Sequence, residues 1–157
     1  MVLWESAAIM EYLTTTYDKS NSLSYPHASK EQFLQSQWLY FQMSGQGPYY
    51  GQAAWFGNFH HEQLPSAIER YQKEVERVVS VIDLHLSRTG SQYLVGDKCT
   101  IADLAFVPWG NNVTWLLKGR DIFEGGKYSA YKAWFDRLLA RPAVDEMVKE
   151  KAAASKR

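Results

Sequence analysis

The 157-residue sequence predicts an all-α fold, and its strongest signal is a buried helix that begins beside Thr100. Thr100 and Asp103 have the spacing of a capping box, in which each side chain accepts a hydrogen bond from a free amide of the first helical turn. The residues from there to Trp109 are apolar on nearly every face, which is typical of a helix surrounded by other helices. Segments 29–59 and 65–88 carry apolar residues at a helical period.

The composition restricts the class of protein. Apolar residues make up 46% of the sequence, enough for one domain with a full core. The 17 basic residues equal the 17 acidic ones, so no net field attracts nucleic acid or an anionic membrane. A single cysteine excludes a disulfide framework, and Glu5 interrupts the short apolar run at the start, so no signal peptide is predicted. We therefore expect a cytoplasmic protein without nucleic-acid or membrane partners.

Residues 1–17 predict the end of a strand followed by a helix that opens at Glu5 and Ser6. The amides of a first helical turn carry a partial positive charge and can bind an anion. The alternative is ordinary helix capping, because acidic residues and serine favour first turns in general.

Residues 18–28 are predicted to be a linker. Ser29 and Gln32 then form a second capping box, and the helix after it continues to residue 59 with a bend at Gly45–Pro48, where two glycines and a proline interrupt the pattern. Glycine at such a bend lets a ligand or another backbone approach closely.

The second half of the chain predicts further helices. Pro65 suits the start of a helix and Gly90 its end, and a loop is expected over 118–127. An apolar stripe from Tyr128 to Leu139 and a short last helix after Pro142 follow. The basic tail, residues 151–157, is expected to be disordered.

Two features suggest chemistry but are better explained otherwise. His60 and His61 are adjacent, so they point to different sides of a helix, and their spacing does not suit zinc; no metal site is predicted. Cys99 precedes a helix N-terminus, which can activate a thiol, but its place against the core helix explains it without reactivity.

The turn, capping box and buried helix, VGDKCTIADLAFVPW, resemble the capping-box motif of the all-helical C-terminal domain of glutathione transferases. Trp38–Gly45 and Ala67–Tyr71 resemble the fungal nitrogen-regulator-like (nu-type) branch. The resemblance implies a C-terminal helical bundle over 29–150. Residues 1–17 would be the strand end and last helix of a thioredoxin-like domain that is otherwise missing.

The resemblance also implies binding residues. Glu5 and Ser6 occupy the positions that hold the ammonium and carboxylate of the γ-glutamyl end of glutathione, and Arg70 the position of an arginine that faces this site across a subunit boundary. For Arg70, a solvated surface charge remains the alternative. The bend would face the cleft above the glutathione sulfur and supply an electrophile pocket, with packing against the next helix as the alternative for its aromatic residues. The candidate pocket residues are Tyr49, Tyr50, Gln52 and Phe56.

The implied function is that of a glutathione transferase. Glutathione would be the co-substrate, either conjugated to a small electrophile or used to reduce a disulfide, in a homodimer formed through 29–59 and 65–88. No catalytic residue is assigned, because the residue that stabilises the glutathione thiolate belongs to the thioredoxin-like domain, so this chain alone is expected to be inactive. The alternative is a non-catalytic regulatory or protein-interaction module related to the fungal nitrogen regulator.

Overall fold

We describe the protein from a computed structural model that covers residues 1–154. Every regular element in this part of the chain is helical, which confirms the predicted all-α class. The α-helices are α1 (Ser6–Tyr17), α2 (Lys30–Phe41), α3 (Gly47–Ala54), α4 (Pro65–Thr89), α5 (Ile101–Ala105), α6 (Val107–Gly110), α7 (Val113–Leu116), α8 (Ser129–Leu139) and α9 (Pro142–Ala154). Wider π-helical turns cover Gln42–Gln46 and Trp55–Phe59, and a 3₁₀ turn covers Glu124–Gly126.

Helices α2 and α3 and the two π-helical turns form one continuous helical run from residue 30 to residue 59. The predicted bend is the first π-helical turn, in which the Gly47 amide donates to the carbonyl of Gln42. Pro48 follows directly. A proline inside a helix lacks an amide and clashes with the carbonyl four residues earlier, and a widened turn makes room for it.

The predicted capping box is present at the start of α5. The Thr100 amide donates to Asp103 Oδ2 at 2.9 Å, and Thr100 Oγ1 accepts from the Ala102 amide at 3.3 Å. The helix then divides into α5 and α6 at Phe106, two residues before Pro108, whose missing amide removes one helical hydrogen bond. Phe106 is 1% exposed, so the central position of this segment is confirmed.

Asp103 joins three separate parts of the chain. Besides its bonds to Thr100, its Oδ1 accepts from the Leu94 amide and from Trp134 Nε1, both at 2.9 Å. The carboxyl is fully buried, and burial raises its pKa above the ordinary value although these hydrogen bonds act in the opposite direction. The turn before α5 and helix α8 are therefore held by one side chain.

The linker is fastened to the turn before α5. The Leu23 carbonyl accepts from the Ile101 amide at 2.9 Å, and Tyr25 donates its hydroxyl to the Val95 carbonyl at 2.5 Å. Lys98 Nζ donates to the Asn21 carbonyl at 2.8 Å. These contacts fix where α1 lies, because the linker follows directly from the end of α1.

Two local predictions are wrong. Residues 1–4 form no strand, since no other strand in the part of the chain that the structure describes is available to pair with them. Helix α9 continues through Ala154, where a disordered tail was predicted from residue 151; residues 155–157 of that tail lie outside the described range. Within residues 1–154 no helix combines the length and apolarity needed to cross a bilayer.

Replacing Asp103 by alanine should lower the free energy of unfolding by at least about 3 kcal/mol, because it leaves several buried donors without an acceptor. Urea unfolding followed by tryptophan fluorescence measures this. The matched control is Asp136→Ala, which removes an exposed carboxylate paired with Lys132 and should change stability by about 0.5 kcal/mol or less. Equal losses for the two variants would show that the buried carboxylate has no special role.

Candidate functional site

The start of α1 has the features of a ligand site rather than of an ordinary cap. Glu5 precedes the helix with φ 70° and ψ 115°, a strained backbone for a residue with a side chain, and strain of this kind is frequent at functional sites. No side chain caps the helix, so the amides of its first turn have no side-chain acceptor. Glu5 and Ser6 are both exposed, which leaves this positive helix end accessible to an anion.

Ser6 brings this helix end to the bend. Its Oγ lies 3.5 Å from Met43 Sδ, in the first π-helical turn. The start of α1 and the bend at 45–48, two candidate parts of a ligand site, are therefore adjacent in space.

Beyond Met43, the continuous helical run of residues 30–59 carries glycines and two exposed aromatic residues. Gly47, Gly51, Trp55 and Phe59 follow Met43 at intervals of four residues. A Cβ added to Gly51 would lie 4.0 Å from the indole of Trp109. Gly51 and the Trp109 indole are therefore neighbours on this surface.

The C-terminal end of this helical run carries exposed aromatic rings. The rings of Phe59 and Trp115 are 6.3 Å apart, and Trp55, Phe59 and Trp115 are 50%, 63% and 46% exposed. We call the surface formed by Gly47, Gly51, Trp55, Phe59, Trp109 and Trp115 the aromatic groove. Its exposed rings offer flat apolar faces to a ligand.

The four candidate pocket residues have different positions. Tyr50 has no exposed surface, and its hydroxyl donates to the Val75 carbonyl at 3.3 Å, so its assignment to the pocket is wrong. The rings of Tyr49 and Phe56 contact that of Tyr71 in α4, with centroids 6.5 and 5.4 Å apart. Both residues therefore pack against the next helix, which was the alternative to lining the pocket. Gln52 is exposed beside Gly51 and remains a candidate.

The aromatic residues of this surface are not identifiable from the sequence. Trp55 lies between the candidates Gln52 and Phe56, and the apolar pattern does not separate Phe59, Trp109 and Trp115 from core residues. The helical period gives no signal for this surface, because the π-helical turns at 42–46 and 55–59 displace the four-residue repeat.

Arg70 is not brought to Ser6 within one chain. It is exposed, and its guanidinium carbon lies 6.0 Å from the centroid of the Tyr71 ring. Tyr71 packs on Phe56, whereas Ser6 contacts Met43. Met43 and Phe56 lie roughly 20 Å apart along the helical run, because an α-helix rises about 1.5 Å per residue. A contact between Arg70 and this site would need a second copy of the chain.

Neither metal nor thiol chemistry is supported by the geometry. Among residues 1–154, no group of three or more His, Cys, Asp or Glu side chains is placed to hold a metal ion. His60 instead has its Nδ1 3.0 Å from the Glu62 carbonyl oxygen, and its ring stacks on His61. Burial, with the nearby Asp103 carboxylate, raises the pKa of the Cys99 thiol to about 12. The thiol is therefore protonated at neutral pH.

Comparison with known sequences gives one family. The profile of "Glutathione S-transferase, C-terminal domain" matches residues 47–142. A "Glutathione S-transferase-like protein tpcF" of Aspergillus fumigatus is 49% identical over 152 residues, which cover 93% of this chain and 68% of the relative. The "Transcriptional regulator URE2" of Saccharomyces cerevisiae is 33% identical over 174 residues, with 90% of this chain and 48% of the relative covered.

Solved structures of glutathione transferases have the same fold as this chain. Glutathione transferase URE2P8 from Phanerochaete chrysosporium, crystallised with oxidized glutathione, superposes with a TM-score of 0.92 at 39% identity, over 100% of this chain and 69% of that one. Ure2p5 from the same organism, cocrystallised with 1-(S-glutathionyl)-2,4-dinitrobenzene, gives a TM-score of 0.90 at 41% identity, over 100% and 72%. The chain thus corresponds to about two thirds of such proteins.

Cys99 should react negligibly with a disulfide reagent such as 5,5′-dithiobis(2-nitrobenzoate) in the native protein at pH 7, because the thiol is buried and protonated. Absorbance at 412 nm measures the released thiolate. The same protein in concentrated urea is the control and should release one equivalent within minutes. Rapid reaction of the folded chain would contradict the inert assignment.

Proposed function

The chain belongs to the glutathione transferase family, in its Ure2-type fungal branch, and on this basis we propose that it binds glutathione at the start of α1. Ser6 and the first-turn amides would hold the γ-glutamyl carboxylate, and Glu5 would pair with the ammonium group. The observation that carries this proposal is the strained, uncapped helix end at Glu5, which adjoins the bend through the Ser6–Met43 contact.

The aromatic groove is the proposed site of the second substrate. It carries the exposed rings of Trp55, Phe59 and Trp115. An apolar, preferably aromatic, electrophile would bind at the Gly47–Gly51 end of this surface, which lies nearer to the glutathione site than the exposed rings do. The glutathione thiolate would attack the electrophilic carbon, the new C–S bond would replace the bond to the leaving group, and the leaving group would depart with the electron pair. Reduction of a disulfide substrate by the same thiolate is the other chemistry open to this arrangement.

The residues described so far bind and orient but do not activate the thiol. No side chain near Ser6 is assigned to stabilise the thiolate, and about a third of the length of the transferase relatives has no counterpart in these 157 residues. We propose that the thiolate-stabilising group belongs to that remaining third, as part of a thioredoxin-like domain of which residues 1–17 are the end. The exposed apolar residues of this segment support the idea of a covering domain; they are Leu3, Trp4, Ile9 and Leu13.

Assembly and location follow the same reasoning. We propose a homodimer formed through the 30–59 helical run and α4, in which Arg70 of one copy reaches the glutathione site of the other. A guanidinium fork suits a carboxylate of glutathione. The protein would act in the cytoplasm, where its single buried thiol stays reduced.

A regulatory role is the second candidate function. The relative that favours it is named a transcriptional regulator and is 33% identical to this chain. In that case the helical surface would bind a protein, and glutathione binding would be absent or incidental. Elution by free glutathione from a glutathione resin favours the transferase function over this one.

Ser6→Ala should weaken glutathione binding about tenfold, because it removes a hydrogen bond to a carboxylate. Titration of the ¹⁵N-labelled chain with glutathione measures the change. The matched control is Ser66→Ala, which removes an exposed serine from the first turn of α4 and should leave binding unchanged. Equal binding by Ser6→Ala and the unaltered chain would exclude this end of α1 as the carboxylate site.

The 157-residue chain alone should not accelerate conjugation of 1-chloro-2,4-dinitrobenzene with glutathione above the buffer rate, because it holds no assigned thiolate stabiliser. Absorbance of the conjugate at 340 nm measures the reaction. A clear rate increase proportional to protein concentration would mean that the activating group lies within these residues.

A further inference from the structure

Met43 places a thioether directly beside the helix end that is proposed to hold glutathione. Its Sδ accepts from Ser6 Oγ at 3.5 Å, and this contact lies at the surface of the chain. Ser6 is exposed, whereas Met43 is half-buried. The sulfur therefore lies at the border between the protein interior and the proposed glutathione site.

The Met43 side chain is held in this position by a small apolar cluster between three helices. Its buried members are Ala7 of α1, Leu39 of α2, and Ile101 and Ala105 of α5. Met43 also belongs to the first π-helical turn, so its backbone is fixed by the helical run. The cluster and the turn together keep the sulfur against Ser6.

Methionine, rather than cysteine, is the sulfur residue of this chain that peroxide can reach. The single cysteine, Cys99, is buried, and burial raises the pKa of its thiol to about 12. A buried, protonated thiol reacts poorly with peroxide, because the thiolate is the reactive form. A thioether needs no deprotonation, and its oxidation to a sulfoxide is reversible by specific reductases.

Oxidation of Met43 would change the acceptor that Ser6 meets. A thioether sulfur is a weak hydrogen-bond acceptor, whereas a sulfoxide is polar, with the negative end of its dipole at oxygen. The Ser6 hydroxyl would then donate to this oxygen instead of to the γ-glutamyl carboxylate of glutathione. The same partial negative charge would repel that carboxylate.

We propose that Met43 is a peroxide-sensitive modification site whose oxidation lowers the affinity of the start of α1 for glutathione. The Met43 sulfur would attack one oxygen of hydrogen peroxide, and an S–O bond would form as the O–O bond breaks. The sulfur loses two electrons to the peroxide, whose second oxygen leaves with both protons as water. The proposal rests on the proposed binding of glutathione through Ser6.

The test compares glutathione binding by the ¹⁵N-labelled 157-residue chain before and after treatment with hydrogen peroxide. Catalase removes the peroxide before glutathione is added, and peptide mass spectrometry measures the oxygen gained at each methionine. The oxidised chain should bind glutathione about tenfold more weakly, the loss expected when a hydrogen bond to a carboxylate is removed. Methionine sulfoxide reductases for both sulfoxide epimers should restore the affinity. Unchanged binding by a chain fully oxidised at Met43 would overturn the proposal.

Variants assign the effect to one methionine. In Met43→Leu, which has no sulfur at this position, peroxide should no longer change the affinity for glutathione. The matched control is Met147→Leu on α9, where Met147 is 37% exposed, and this variant should show the full tenfold loss. A loss that persists in Met43→Leu would assign the effect to another methionine and contradict the proposal.

Ser6→Ala separates the proposed mechanism from general damage to the fold. Oxidation of Met43 in this variant should cause no further loss of glutathione affinity, because two changes that act through one contact are not additive. A further tenfold loss would show that the sulfoxide acts by loosening the apolar cluster, against the proposal. Absence of glutathione binding by the untreated chain would contradict the proposed function itself, whereas binding that peroxide does not alter contradicts only the role of Met43.

Discussion

The buried carboxylate of Asp103 is the interaction on which the arrangement of this bundle depends. One side chain accepts hydrogen bonds from the start of α5, from the turn at Leu94 and from the indole of Trp134 in α8. Leu94 lies 9 residues and Trp134 31 residues from Asp103, so bringing α8 to this carboxylate costs loop-closure entropy that local helix formation does not offset. A charge can remain buried there because its oxygens have several donors.

A series of contacts leads from Asp103 to the candidate site at the start of α1. The capped end of α5 presents the Ile101 amide to the Leu23 carbonyl, and this bond, with that from Tyr25 to Val95, fastens the linker. The linker in turn places α1, whose first residue contacts Met43 at the bend. The strained backbone at Glu5 is thus supported by a series of contacts that leads back to the core, as the persistence of such strain requires.

The candidate site combines two kinds of surface. The first-turn amides of α1 have no side-chain acceptor, and Ser6 contacts Met43 in the first π-helical turn. The exposed rings of Trp55 and Phe59 lie further along the same helical run. The helix end suits an anionic thiol compound, and the aromatic surface suits an apolar electrophile.

The sequence by itself determined the features that depend on local chemistry. The capping box at Thr100, the break before Pro108 and the bend before Pro48 each follow from a side chain acting on the backbone within one or two turns. The helical class and the buried position of Phe106 follow from apolar periodicity in the same way.

Only the tertiary structure decided which side chains of residues 47–59 face a ligand. Each π-helical turn inserts an extra residue and shifts the helical phase by about 100°, so a regular period cannot assign the faces beyond it. For this reason Tyr50 lies in the core while Trp55 is half exposed.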